Sequence, residues 1–202
     1  MQNRTPRSFA FVLAVVAIGT LAAASAHAAI LHYDANLSGP AESPPNASPG
    51  TGFAEVDVND IANTMHVHID FIGLLGTTTA SHIHAATPLP GSGTAGVATT
   101  TPTFAGFPLG VTSGTYDNTL DLTQASSYNP AYVTANGGTP ASAEAALLAA
   151  MANGQSYLNI HSSVFGGGEI RGFLLPVPEP STAMLAAFGF AGLALWRWRR
   201  KR

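Results

Sequence analysis

The nine residues from Thr64 to Ile72 constrain the fold of this chain more than any other stretch. Met65, Val67, Ile69 and Phe71 are apolar, while His66, His68 and Asp70 between them are polar. Strict alternation has a period of two, which sends one set of side chains to each face of a pleated strand. Phe53 to Val58 repeats the pattern, with Ala54, Val56 and Val58 on one face and Glu55 and Asp57 on the other. Asn59-Asp60-Ile61-Ala62-Asn63 supplies a turn between the two runs. The expected product is a hairpin with one buried face and one wet face.

Other runs extend the pattern. Strands are expected at Ile30–Leu37, Ala80–Ala85, Gly96–Thr100, Ser113–Leu122, Tyr157–His161 and Glu169–Leu175. One helix is expected after Thr139: this residue suits a cap and Pro140 suits the first turn. Leu147, Leu148 and Met151 form an apolar stripe, and Asn153-Gly154 ends it. Phe104–Leu109 and Tyr128–Gly138 read as loops. With 21 glycines and 14 prolines in 202 residues, many short strands and turns are expected, so the fold class is all-β with one short helix.

The cations mark which residues belong to that fold. Of eight Lys and Arg residues, Arg4 and Arg7 lie at the start and Arg197, Arg199, Arg200, Lys201 and Arg202 at the end, leaving Arg171 alone in the middle. Residues 29–177 carry ten carboxylates against that one base, a net charge of −9. Nucleic-acid surfaces need clustered Lys and Arg, so no nucleic-acid partner is expected. The absence of cysteine excludes disulfides, thiolate metal sites and a thiol nucleophile. No serine-nucleophile elbow, phosphate loop or dinucleotide fingerprint is present, so no catalytic residue is assigned.

Residues 1–28 have the order of a secretory signal peptide: Arg4 and Arg7, an apolar run from Phe9 to Leu21, then the small-x-small site Ala26-His27-Ala28. Signal peptidase is the expected partner. At the other end Val177-Pro178-Glu179-Pro180-Ser181 precedes an uncharged segment, Thr182 to Trp196. Arg197-Trp198-Arg199-Arg200-Lys201-Arg202 then closes the chain. Physically this is a short hydrophobic membrane helix with its basic end retained in the cytoplasm. The segment resembles the PEP-CTERM sorting signal, carried by Pro178, Glu179, Pro180 and the arginines Arg197, Arg199 and Arg200. That resemblance implies a Gram-negative bacterium, an exosortase as processing partner, and at least transient membrane association. The expected location is the periplasm, cell surface or extracellular matrix.

Three segments of the body go beyond a generic β protein. They are Leu37-Ser38-Gly39-Pro40-Ala41-Glu42-Ser43-Pro44-Pro45 with Gly52-Phe53-Ala54, then Ser81-His82-Ile83-His84. The third is Tyr157-Leu158-Asn159-Ile160-His161-Ser162 with Gly168-Glu169-Ile170-Arg171-Gly172. In this order they resemble the CHRD domain, the chordin module that also occurs in bacterial secreted proteins. The resemblance implies a β-sandwich of the immunoglobulin or superoxide-dismutase-like kind over residues 29–176. It implies no settled activity. The His-x-His pair also resembles the copper strand of copper/zinc superoxide dismutase, but the remaining ligand set and the cysteines of that enzyme are missing.

His82 and His84 share a strand face, and His161 shares one with Tyr157 and Asn159. If the two strands are neighbours, three imidazoles meet, a set suited to zinc or copper. The alternative is a purely structural role, each ring hydrogen-bonded to backbone and side-chain groups. His66 and His68 are expected to pair with carboxylates on their own face. Glu169 and Arg171 are expected to form a structural polar cluster with Asn159, the guanidinium held by Glu169 and nearby carbonyls. The expected function is that of a non-catalytic envelope, extracellular-matrix or biofilm component that binds partners or polysaccharide. The alternative is a metal-binding protein through His82, His84 and His161, possibly redox-related.

Overall fold

The alternating hairpin forms as expected. In the computed structural model, which describes residues 30–178 together with Gly189 and Phe190, β2 (Thr51–Asn59) pairs antiparallel with β3 (Thr64–Ile72). Val56 lies opposite Val67, Val58 opposite Met65 and Ala54 opposite Ile69, and all six are fully buried. The turn closes on Asn59, whose Oδ1 accepts from the backbone N–H groups of Ile61 and Ala62. Asn63 takes the left-handed backbone, φ 52°, which asparagine tolerates better than most residues.

Strand β1 (Ile30–Ser38) adds to the far side of β2, burying Tyr33, Ala35 and Leu37. With β4 taken as Thr78–His84, the strand β5 (Gly114–Asp121) adds to β3. A second group has β6 (Tyr157–Ser162) at its centre, between β4 and β7 (Ile170–Phe173). The two groups join where Ser38 of β1 meets Arg171 of β7. The two-residue β8 (Leu175–Pro176) pairs β1 at Tyr33 and Asp34. At the join, Gly172 is needed because a Cβ there would stand 2.3 Å from the Asn36 carbonyl oxygen.

The all-β class expected from sequence is therefore present, with one difference in architecture. The strands form a single continuous antiparallel sheet, ordered β4-β6-β7-β1-β2-β3-β5, rather than two separate facing sheets. The sheet curls into a half-barrel. It encloses one core to which the first group contributes Val56, Met65 and Val67 and the second Ile83, Leu158, Ile160 and Ile170.

Two helices, not one, cover that core. Helix α2 (Pro140–Ala152) starts on a capping box in which Thr139 and Ser142 satisfy each other's backbone N–H groups. It buries Ala143, Leu147, Ala150 and Met151, while Leu148 is only half-buried. The six-residue α1 (Pro130–Ala135) lies in a stretch expected to be loop; Asn129 caps it and Pro130 opens it. Gly96–Thr100, expected to be a strand, is instead irregular chain beside the open edge of β4. Only Val97 and Thr99 make isolated bridges, to His84 and Tyr128. Ile83 N–H bonds to Thr99 Oγ1 and Ala98 N–H to Ile83 O, so side chains replace part of the ladder. This shields the β4 edge from pairing with another chain.

The signal-peptide segment and the C-terminal hydrophobic segment lie outside the described residues, apart from Gly189 and Phe190, which are helical. Among the described residues no helix is long and apolar enough to cross a membrane.

Candidate metal centre

Strand β6 is buried on both faces. One face packs Leu158 and Ile160 into the apolar core. The other carries Tyr157, Asn159 and His161, and its cross-strand neighbours are polar too. His84 lies opposite Tyr157 and His82 opposite Asn159 on β4, while Arg171 lies opposite Asn159 on β7. Loops bury most of this polar face, leaving His82 6%, His84 8%, Asn159 3% and Arg171 4% exposed, while His161 is half-buried.

The three histidines converge. One nitrogen from each of His82, His84 and His161 lies within 4.8 Å of the other two, and Nε2 of His82 is 3.0 Å from Nε2 of His161. Each ring is fixed by a loop carbonyl, two from the β4–β5 connection and one from the β6–β7 loop. His82 Nδ1 donates to Pro102 O at 3.2 Å, His84 Nδ1 to Ala95 O at 2.8 Å and His161 Nδ1 to Gly166 O at 3.0 Å. A carbonyl only accepts, so all three Nδ1 atoms carry hydrogen, and in the neutral rings all three Nε2 atoms present lone pairs. His84 is further held by a parallel stack on Tyr157, ring centroids 4.6 Å apart.

That arrangement leaves the Nε2 atoms without hydrogen-bond donors. His84 Nε2 is buried with no partner, and the His82 and His161 lone pairs face each other. Protonation is the ordinary remedy, but burial opposes it. Burial, then the neighbouring imidazoles, depress His82 to about 3, and burial depresses His84 to about 4. Burial lowers His161 as well. A cation between the three nitrogens would satisfy them all. An ion with bonds of about 2.0–2.1 Å spaces its ligand nitrogens about 3.3–3.5 Å apart, within the observed range. The carbonyls on Nδ1 stand where outer partners that orient metal-binding imidazoles stand.

The other expected cluster is only partly assembled. Asn159 and Arg171 are cross-strand neighbours, but Glu169 does not pair with Arg171. Glu169, fully buried at the mouth of β7, accepts from Ser48 Oγ at 2.6 Å, Leu75 N–H and Gly76 N–H. Burial alone would raise its carboxyl; bonds from Ser162, Ser48 and these amides outweigh that and lower it. The reason is local: Gly168 has φ 131°, and β7 begins only at Ile170, so Glu169 is not on the strand face of Arg171. The guanidinium binds Ala41 O through Nε at 2.6 Å and Gly93 O through an Nη at 3.2 Å. It lies 4.7 Å from the Tyr157 ring centroid. Its acidic neighbour is Glu42, 3.8 Å away.

Glu42 is the site residue that sequence reasoning missed. Its signal was its place in the Gly39-Pro40-Ala41-Glu42 segment that carries the family likeness. The carbonyls of Ala95, Pro102 and Gly166 left no signal, because any residue type supplies a carbonyl. On the outer face of the sheet, His66 and His68 do bind carboxylates. Both meet Asp117 of β5, at 3.0 and 3.1 Å, and His68 also meets Asp70 at 3.3 Å. Burial would lower His68, but these two acids raise it overall. Among the described residues only His82, His84 and His161 form a metal-competent group. Pro178 is exposed, and the remaining sorting residues Glu179, Pro180, Arg197, Arg199 and Arg200 lie outside the described residues.

A curled antiparallel sheet that gathers three histidines, followed in sequence by a Pro-Glu-Pro and arginine-rich tail, defines a β-domain protein with a sorting address. The CHRD domain matches residues 33–174 and the PEP-CTERM protein-sorting motif matches residues 176–201. The chain belongs to the CHRD domain family, and its C-terminal motif implies export, surface or membrane sorting and processing by an exosortase. No curated protein and no solved structure matches it.

Proposed function

We propose that this exported protein holds a zinc or copper ion through His82, His84 and His161. One observation carries the reading. All three Nδ1 atoms are committed to carbonyl oxygens, so in the neutral rings three lone pairs converge in a largely buried place, two of them 3.0 Å apart. A purely structural cluster would satisfy its polar atoms internally, and this one leaves them facing each other. The role is metal holding at the cell surface. The companion expectation of matrix or polysaccharide binding rests on the sorting address. On the same reading, residues 1–28 direct export, 29–176 form the folded domain and 177–202 are the sorting tail.

The test is metal content. The full chain, purified untagged in detergent without chelator, is expected to take one zinc or copper per chain. The His82→Ala/His84→Ala/His161→Ala variant is expected to take none while remaining folded. A folded wild-type chain that takes neither metal would overturn the reading.

A further inference from the structure

We infer that the ion is monovalent copper rather than a dication; this rests on the metal-binding reading above and asks which ion the site selects. Three features of the site point the same way. The first is ligand charge. Among the described residues the trio gathers no carboxylate, and the chain has no thiol, so the three imidazoles bring no negative charge to the ion. The cost of taking an ion out of water rises with the square of its charge, and only opposite charges nearby repay it. A buried site made of neutral ligands therefore taxes a dication far more than a monocation.

The second is the field of the surroundings. Asn159 is the cross-strand neighbour of His82 and lies two residues before His161 on one strand face. An amide stands where a carboxylate would balance a dication, and its Oδ1 has no hydrogen-bond partner. The fixed charge on the same row is positive, Arg171, and it acts on His84 as well. The two nearby acids are otherwise committed. Glu169 is bound by Ser48, Ser162, Leu75 and Gly76, and Glu42 lies against Arg171.

The third is coordination number. Zinc in proteins is almost always four-coordinate. Here three protein donors converge among the described residues, so zinc would need a water as its fourth ligand. Monovalent copper is satisfied by three nitrogens. Imidazole suits copper, and neutral ligands in a largely buried place with no carboxylate in the trio favour its lower charge.

The experiment compares ions on the full chain in detergent, using competing chromophoric chelators. Cu(I) is titrated anaerobically, and Cu(II) and Zn(II) in parallel. One Cu(I) per chain is expected, bound at least about 1000-fold more tightly than Cu(II) or Zn(II). Equal or tighter binding of either dication would overturn the inference while leaving the three-histidine site standing. Absence of binding by any of the three ions would instead overturn the site itself. Asn159→Asp places a carboxylate beside His82 at constant shape. It is expected to shrink the Cu(I) preference by about tenfold or more with stoichiometry unchanged; an unchanged preference in the folded variant would contradict the electrostatic argument.

Discussion

Glu42 and the histidines respond to acid in opposite senses. Burial raises the Glu42 carboxyl to about 7, partly offset by Arg171 and the Ser43 N–H. Between about 4.5 and 7 the folded chain holds a proton that the unfolded chain lacks. This stabilising contribution is complete below about 4.5 and is lost as pH rises through 7. Glu42→Gln should therefore gain melting temperature relative to wild type as pH rises from 5 to 8; a pH-independent difference would contradict this. His82 and His84, depressed to about 3 and 4, act the other way. In the metal-free chain the unfolded state binds protons below about 6.5 that the folded state refuses, so stability is lost as pH falls towards 4. The triple alanine variant should lose that acid-side slope in thermal melts. Arg171→Lys keeps the charge but removes the fork that spans Ala41 O and Gly93 O. A loss of roughly 2–4 kcal/mol is expected from these charge-assisted bonds, and an unchanged melt would refute the structural role of the guanidinium.

At the scale of elements, the alternating runs were legible because period two is a property of side chains alone. Thr64–Ile72 and Phe53–Val58 pair in the register that buries Val56 against Val67. The capped helix was legible for a similar reason: Thr139 and Pro140 are local signals. What depends on partners distant in sequence was not. Glu169 looked like the neighbour of Arg171 because spacing was read as strand, yet Gly168 turns the chain and hands Glu169 to Ser48 and the Leu75 and Gly76 amides. Gly96–Thr100 has strand composition but lies beside β4 through Thr99 Oγ1 and a few irregular backbone bonds rather than through a regular ladder. Two substitutions test how the elements are joined. Gly172→Ala forces a methyl to within 2.3 Å of Asn36 O and should cost at least about 1–3 kcal/mol by prying β7 from β1. Leu147→Ala empties a fully buried position under α2 and should cost about 2–5 kcal/mol in chemical denaturation.

For the whole molecule, the curl of the sheet does what the sequence could not announce. It sets β4 beside β6, so that His82 and His84 meet His161 from a strand more than seventy residues away. The body carries a net charge of −9, yet the patch around the trio holds the Arg171–Glu42 pair and an amide at Asn159. Metal binding to the folded state alone stabilises it by mass action, so chelation should lower the melting temperature of wild type and leave the triple alanine variant unmoved. The most direct measurement is the metal content of the full chain, purified without tag or chelator. One zinc or copper per chain, lost in the His82/His84/His161 triple alanine variant, is the predicted result. A stably folded wild-type chain that stays free of both metals in their presence would contradict the account.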